Sequence, residues 1–201
     1  MKKLLTKLMI LCLAIGCVRV QQTAAALSEL EHGIIRLHIT ADSDSLADQT
    51  QKLMIRDAVL AHAAEWDTAN DCLTALEREL PEIERISTET LRQAGSEAAV
   101  SAEITEEEFP ARQYGAVTLP AGRYRALRIT VGSGAGQNWW CVMYPGMCLA
   151  AAQEQTVLSE HFDAESVSLM TEPAQYEIRL KCVELFRAVW KKVRPFFSAQ
   201  S

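Results

Sequence analysis

Beyond its first thirty residues the sequence has no apolar run of 18 residues or more, so the body is not a multi-pass membrane protein. It also lacks a cationic excess. Twenty basic residues against 26 acidic ones leave a net charge of −6, which gives nucleic acid no phosphate-neutralising surface. Past residue 26 no two cysteines have C-x₂₋₄-C spacing, and His32, His38, His62 and His161 are scattered. Neither a metal nor a cofactor is therefore expected. There is no Gly-x-Ser-x-Gly nucleophile motif. Gly132-Ser133-Gly134-Ala135-Gly136 is followed by a strand pattern and not by a helix or a Gly-Lys-Ser/Thr. It reads as a flexible turn, available to meet a partner, and not as a phosphate cradle.

What is present is a chain of 201 residues, 49% hydrophobic, which suits one folded domain and not a disordered chain. It opens with Lys2, Lys3 and Lys7, then runs uncharged from Leu8 to Val18 and reaches small residues at Ala24-Ala25-Ala26. A positive start, a short apolar middle and a small-residue exit make a secretory signal peptide, expected over residues 1–26, with an uncleaved anchor as the alternative. Its loss would remove four basic residues and no acidic one, taking the net charge to −10. Residues 27–201 then form a single domain. In an oxidising compartment Cys141 and Cys148, with the turn dipeptide Pro145-Gly146 between them, are expected to form a disulfide. Cys72 and Cys182 lie in helical patterns and read as small buried residues.

Ile35, Leu37 and Ile39 alternate with Arg36 and His38, predicting a strand with one wet edge. Asp42-Ser43-Asp44-Ser45 closes it, and Ser45 with Asp48 resembles a capping box for a helix to about Glu65. A second helix is expected from about Asn70 to Leu80, and a third from Pro81 to near Gly95. Strands follow at residues 99–104, 114–119, 124–131 and 139–144, with connections short enough for antiparallel neighbours. Residues 150–170 have no clean period, and a last helix starts at Pro173. The order is that of an α+β domain: one N-terminal strand, several helices, a mainly antiparallel strand region and a C-terminal helix.

Three stretches resemble the stage II sporulation protein R family. They are Ile34-Ile-Arg-Leu-His-Ile-Thr-Ala-Asp-Ser-Asp-Ser45 with Lys52–Leu60, the run from Phe109-Pro110 through Gly122-Arg123-Tyr124 and Gln137-Asn138-Trp139-Trp140-Cys141 to Cys148, and Glu177-Ile178-Arg179-Leu180-Lys181. The chain departs from the family in having Pro145-Gly146-Met147 before Cys148, and Asp42 where Asn is usual. The resemblance implies an exported signal and not an enzyme. Such a protein acts in the space between forespore and mother-cell membranes, where it triggers a membrane-embedded aspartic protease that processes a pro-sigma factor.

The residues expected to touch that partner are Asp42, Ser43, Arg112, Tyr114, Arg128, Asn138, Trp139 and Trp140. Adjacent tryptophans on a strand point to opposite faces, so one belongs to the core and the other faces outward. Arg112, Arg123, Arg125 and Arg128 form a basic stripe, with solvated surface as the plain reading and docking on an acidic receptor loop as the functional one. Lys191, Lys192 and Arg194 beside Trp190 and Phe196 suit peripheral membrane contact, although cations in a last helical turn also complement the helix dipole. The competing reading is an exported hydrolase using His38 and Asp42.

Overall fold

The computed structural model describes residues 2–65, 72–144 and 154–172. Its elements are α1 (Lys2–Gly33), β1 (Ile35–Thr40), α2 (Leu46–Ala63), α3 (Cys72–Gln93), β2 (Val100–Phe109), β3 (Arg112–Tyr114), β4 (Val117–Leu119), β5 (Gly122–Val131), β6 (Asn138–Tyr144), α4 (Glu154–His161) and α5 (Ala164–Thr171). The α+β order holds. The helix expected from Pro173, Cys148 and Cys182 lie outside the described residues, as does the basic cluster near residue 191.

Four strands form one sheet in the order β2-β5-β1-β6, and β3-β4 make a separate hairpin. β1 runs parallel to β5 and antiparallel to β6, while β2 is antiparallel to β5. The short link from β5 to β6 therefore does not join neighbours. It crosses the end of β1, which is inserted between them. This overturns the wet edge expected for β1, because a central strand with helices on one face and aromatic rings on the other is covered throughout, and all six of its residues are buried.

Ile35, Leu37 and Ile39 pack with Leu127, Ile129 and Val131 of β5 and with Ile55, Val59, Leu76, Ile83 and Leu91 of α2 and α3. The opposite face is covered at one end by Leu27, Leu30 and Ile34, Leu158, Phe162, Leu169 and Met170, and by Val117 and Leu119 of the hairpin. The C-terminal half of α1 is thus a core element: Ala26 and Leu30 are buried, and the Ala26 carbonyl accepts a hydrogen bond from Ser166. Its N-terminal half leaves Leu4, Leu11, Ile15 and Val18 exposed. Among the described residues no helix is long and apolar enough to cross a membrane.

Two further sequence expectations need correction. The break at Pro81 is absent, and α3 runs through it. Pro81 forfeits one intrahelical hydrogen bond, but a single stripe of Ala75, Leu76, Ile83, Ser87 and Leu91 buries on both sides of it and holds the helix together. Residues 114–119 are not one strand, because Gly115 takes φ 53° and a turn at 115–116 separates the end of β3 from β4. Residues 154–171, where no period is visible, form two short helices, the second capped by Asp163.

Candidate functional site

The sheet face opposite α2 and α3 carries two kinds of side chain. Where α1 and the hairpin cover it, it is apolar. Beyond them, Thr40 and His38 of β1, Asn138 and Trp140 of β6, Arg128 of β5 and Thr105 and Glu107 of β2 form a polar cluster. Strand alternation puts all of them on one side, and the register sets His38 opposite both Arg128 and Trp140.

His38 is the hub. Its Nδ1 lies 2.9 Å from a Glu107 oxygen and its Nε2 2.7 Å from Asn138 Oδ1, while Thr40 Oγ1 also donates to that oxygen. The ring stacks on Trp140 with centroids 3.7 Å apart. Glu107 is shared further, by Thr105 at 2.6 Å and Arg128 at 2.8 Å. Burial pushes the Glu107 carboxyl up, but the hydrogen bonds from Thr105 and Arg128 and the neighbouring His38 outweigh it and hold it below the usual carboxylate range.

Below this cluster lies Arg36, fully buried. Its guanidinium sits 4.4 Å from the Phe109 ring centroid and 5.4 Å from that of Tyr124. Nε donates to the Cys141 carbonyl and one terminal nitrogen to the Tyr114 hydroxyl. Phe109 in turn packs edge-on against Trp140 at 4.9 Å. The aromatic rings make the burial of an arginine tolerable through cation–π contact.

The Asp42–Ser45 segment forms a clamp. Asp42 Oδ1 accepts from the Ser133 N–H at 2.6 Å and its hydroxyl at 2.8 Å, and Asp44 accepts from Gln137 N–H at 2.8 Å. The Ser133 N–H, and then its hydroxyl, hold the Asp42 carboxyl below its ordinary value. Ser43 donates to Asp48, and Ser45 caps α2 by accepting from the Asp48 N–H. Gly136 N–H donates to the Ala41 carbonyl, and the buried ammonium of Lys52 donates to the Gln137 carbonyl. The glycine run is therefore a tethered crossing and not the flexible turn expected from its composition. It must pass from β5 over the end of β1 to β6, two strand spacings of about 4.8 Å each, and it is tied down on the way. A Cβ on Gly136 would lie 2.3 Å from the Ser43 carbonyl oxygen, and Gly132 takes φ 56°.

A family model for stage II sporulation protein R matches residues 31–154, well over half of the chain. The chain belongs to the stage II sporulation protein R family. The stage II sporulation protein R of Bacillus subtilis (strain 168) is 35% identical over 151 residues, which cover 73% of this chain and 67% of that protein. No solved structure matches. A role in sporulation follows from the family, and the stretch that matches the stage II sporulation protein R model holds the whole sheet, the His38 cluster and the clamp.

The structure joins five of the predicted residues. Asn138, Trp140 and Arg128 surround His38, Arg112 reaches the Trp140 carbonyl at 3.4 Å, and Tyr114 holds Arg36. It separates the other three. Asp42 and Ser43 belong to the clamp, and Trp139 turns to the helical face, where the Arg56 guanidinium lies 4.5 Å from its ring centroid. The tryptophans do diverge as expected, but both are half-buried. His38 and Asp42 share no contact, and both nitrogens of His38 are engaged. The sequence alone does not mark Glu107, Phe109 or Arg36 as parts of this site. Arg36 and His38 alternating with isoleucines was the available signal, once β1 is placed at the centre of the sheet. Among the described residues no group of three His, Cys, Asp or Glu side chains is placed to hold a metal.

Proposed function

We propose that the protein is an exported signal that binds the extracytoplasmic part of a membrane-embedded aspartic protease and turns on its cleavage of a pro-sigma factor, without catalysis of its own. The observation that carries this reading is the state of the only histidine in the polar cluster. His38 is buried, with both nitrogens turned to neighbours in the cluster and one ring face under Trp140, so neither nitrogen is open to a substrate and the ring suits a fixed platform. Around it Trp140, Asn138 and Arg112 present an aromatic, an amide and a guanidinium on a rigid sheet, the side-chain types that anchor protein interfaces. Export, the placement between two membranes and the Cys141–Cys148 disulfide belong to the same proposal. Binding activates only if the protease's working state is bound more tightly than its resting state.

The test is direct. The purified chain is added to membranes holding the protease and its precursor substrate, and the cleaved product is followed. Product that forms only when the chain is present supports the reading; cleavage at an equal rate without it overturns the reading.

A further inference from the structure

Among the described residues Arg112 of the stripe and the buried Arg36 of β1 form no ion pair, as is also true of Arg125 on the helical side of β5. Arg123 lies 3.3 Å from Glu106, and Arg128 contacts Glu103 and Glu107. No carboxylate lies within 4 Å of Arg112 or Arg36 among the described residues, in a chain with more acids than bases. Arg112 is exposed and spends one N–H on the Trp140 carbonyl. Arg36 spends its Nε on the next carbonyl, that of Cys141, and its Nη1 has no hydrogen-bond partner although it is buried. The two charges are near enough to oppose each other, since Arg112 adds to the burial that lowers the Arg36 pKa. Two guanidinium groups on consecutive carbonyls of one strand, with no carboxylate paired to either among the described residues, form a positive site. A buried charge is normally paired, because desolvation costs more than neutral contacts return.

We propose that Arg112, backed by Arg36, is a carboxylate-recognition site that takes an Asp or Glu side chain of the partner protein, with the exposed part of Trp140 as the adjoining apolar ledge. The inference rests on the proposed function and adds the chemistry of its contact. Arg112 makes the contact, bidentate in the manner guanidinium allows, and Arg36 supplies positive potential from a medium where it is poorly screened. The recognition must be local. Screening over about 8 Å at physiological ionic strength removes most of the repulsion between an acidic partner and the rest of this acidic surface.

The experiment measures the concentration of full chain that half-activates the protease in the membrane assay, for Arg112→Glu, Arg112→Lys and, as a control at another exposed arginine, Arg123→Glu. Arg112→Glu is expected to raise that concentration about tenfold or more, Arg112→Lys much less, and Arg123→Glu less than about twofold. Equal activity of Arg112→Glu and the wild type overturns the site, as does an equal loss with Arg123→Glu. If the wild type does not stimulate cleavage at all, it is the proposed function that fails, and a probe without the partner decides the site. The Arg112 side-chain N–H resonance is followed by NMR during titration with N-acetylglutamate amide and with N-acetyl-lysine amide. A shift with the first only, lost in Arg112→Gln, supports the site, and no selective shift overturns it.

Discussion

Glu107 is the acceptor that a guanidinium, an imidazole and a hydroxyl share, so its removal leaves Arg128, His38 and Thr105 without their common partner. Glu107→Ala should cost about 1–3 kcal/mol in urea unfolding at neutral pH. The acid limb follows from the sign of the shift. A carboxyl held below its unfolded value stabilises the fold above that value, about 4.3, and the gain disappears as pH falls through the folded value. Glu107→Gln should therefore flatten the stability profile below about pH 4, and an unchanged slope would remove Glu107 as its source. Single residues were only partly legible in the sequence. The Trp139-Trp140 divergence follows from strand alternation alone. The partnership of Glu107 with His38 does not, because 69 residues separate them and only the order β2-β5-β1 places them on one face.

At the scale of elements, two features give opposite expectations. Pro81 sits inside α3 and is exposed, so Pro81→Ala should restore a backbone hydrogen bond and stabilise the protein by about 1–3 kcal/mol, seen as a higher Tm. A loss of stability would mean that the proline ring itself is needed at this point of α3. In the crossing loop, Gly132→Ala places a Cβ on a backbone at φ 56° and 2.3 Å from Asp42 Oδ1. It should cost about 1–3 kcal/mol, and hydrogen exchange should rise first at Ser133, Ala135 and Gly136. β2 runs five residues past its expected end and residues 114–119 are split by a turn, whereas β1, β5, β6 and α2 were readable to within a few residues, because period and capping are local signals. The run through Pro81 was not, since a long amphipathic stripe outweighed a breaker. Nor was the clamp, which depends on where the chain crosses β1.

At the scale of the whole molecule, α1 is two things in one helix. Leu30 is fully buried beside Leu158 and Leu169, and Leu30→Ala should cost about 2–5 kcal/mol in thermal or urea unfolding. Ile15→Ala, at an exposed position of the same helix, should leave stability within about 0.5 kcal/mol. Equal effects would show that both halves of α1 belong to one packed unit. The α+β class was legible from the order of patterns. That the helix before β1 contributes to the core was not, because its apolar residues read equally as a signal segment.

The placement of β1 also governs when the fold can exist. Its two neighbours on the sheet come from residues 122–131 and 138–144, about ninety to a hundred positions later in the chain. A polypeptide that emerges from a ribosome or a translocation pore with its N-terminus first must keep β1 waiting until residue 144 is out. Pairings so distant in sequence close slowly. The sheet thus closes only late in the chain's emergence, whatever the route by which it emerges.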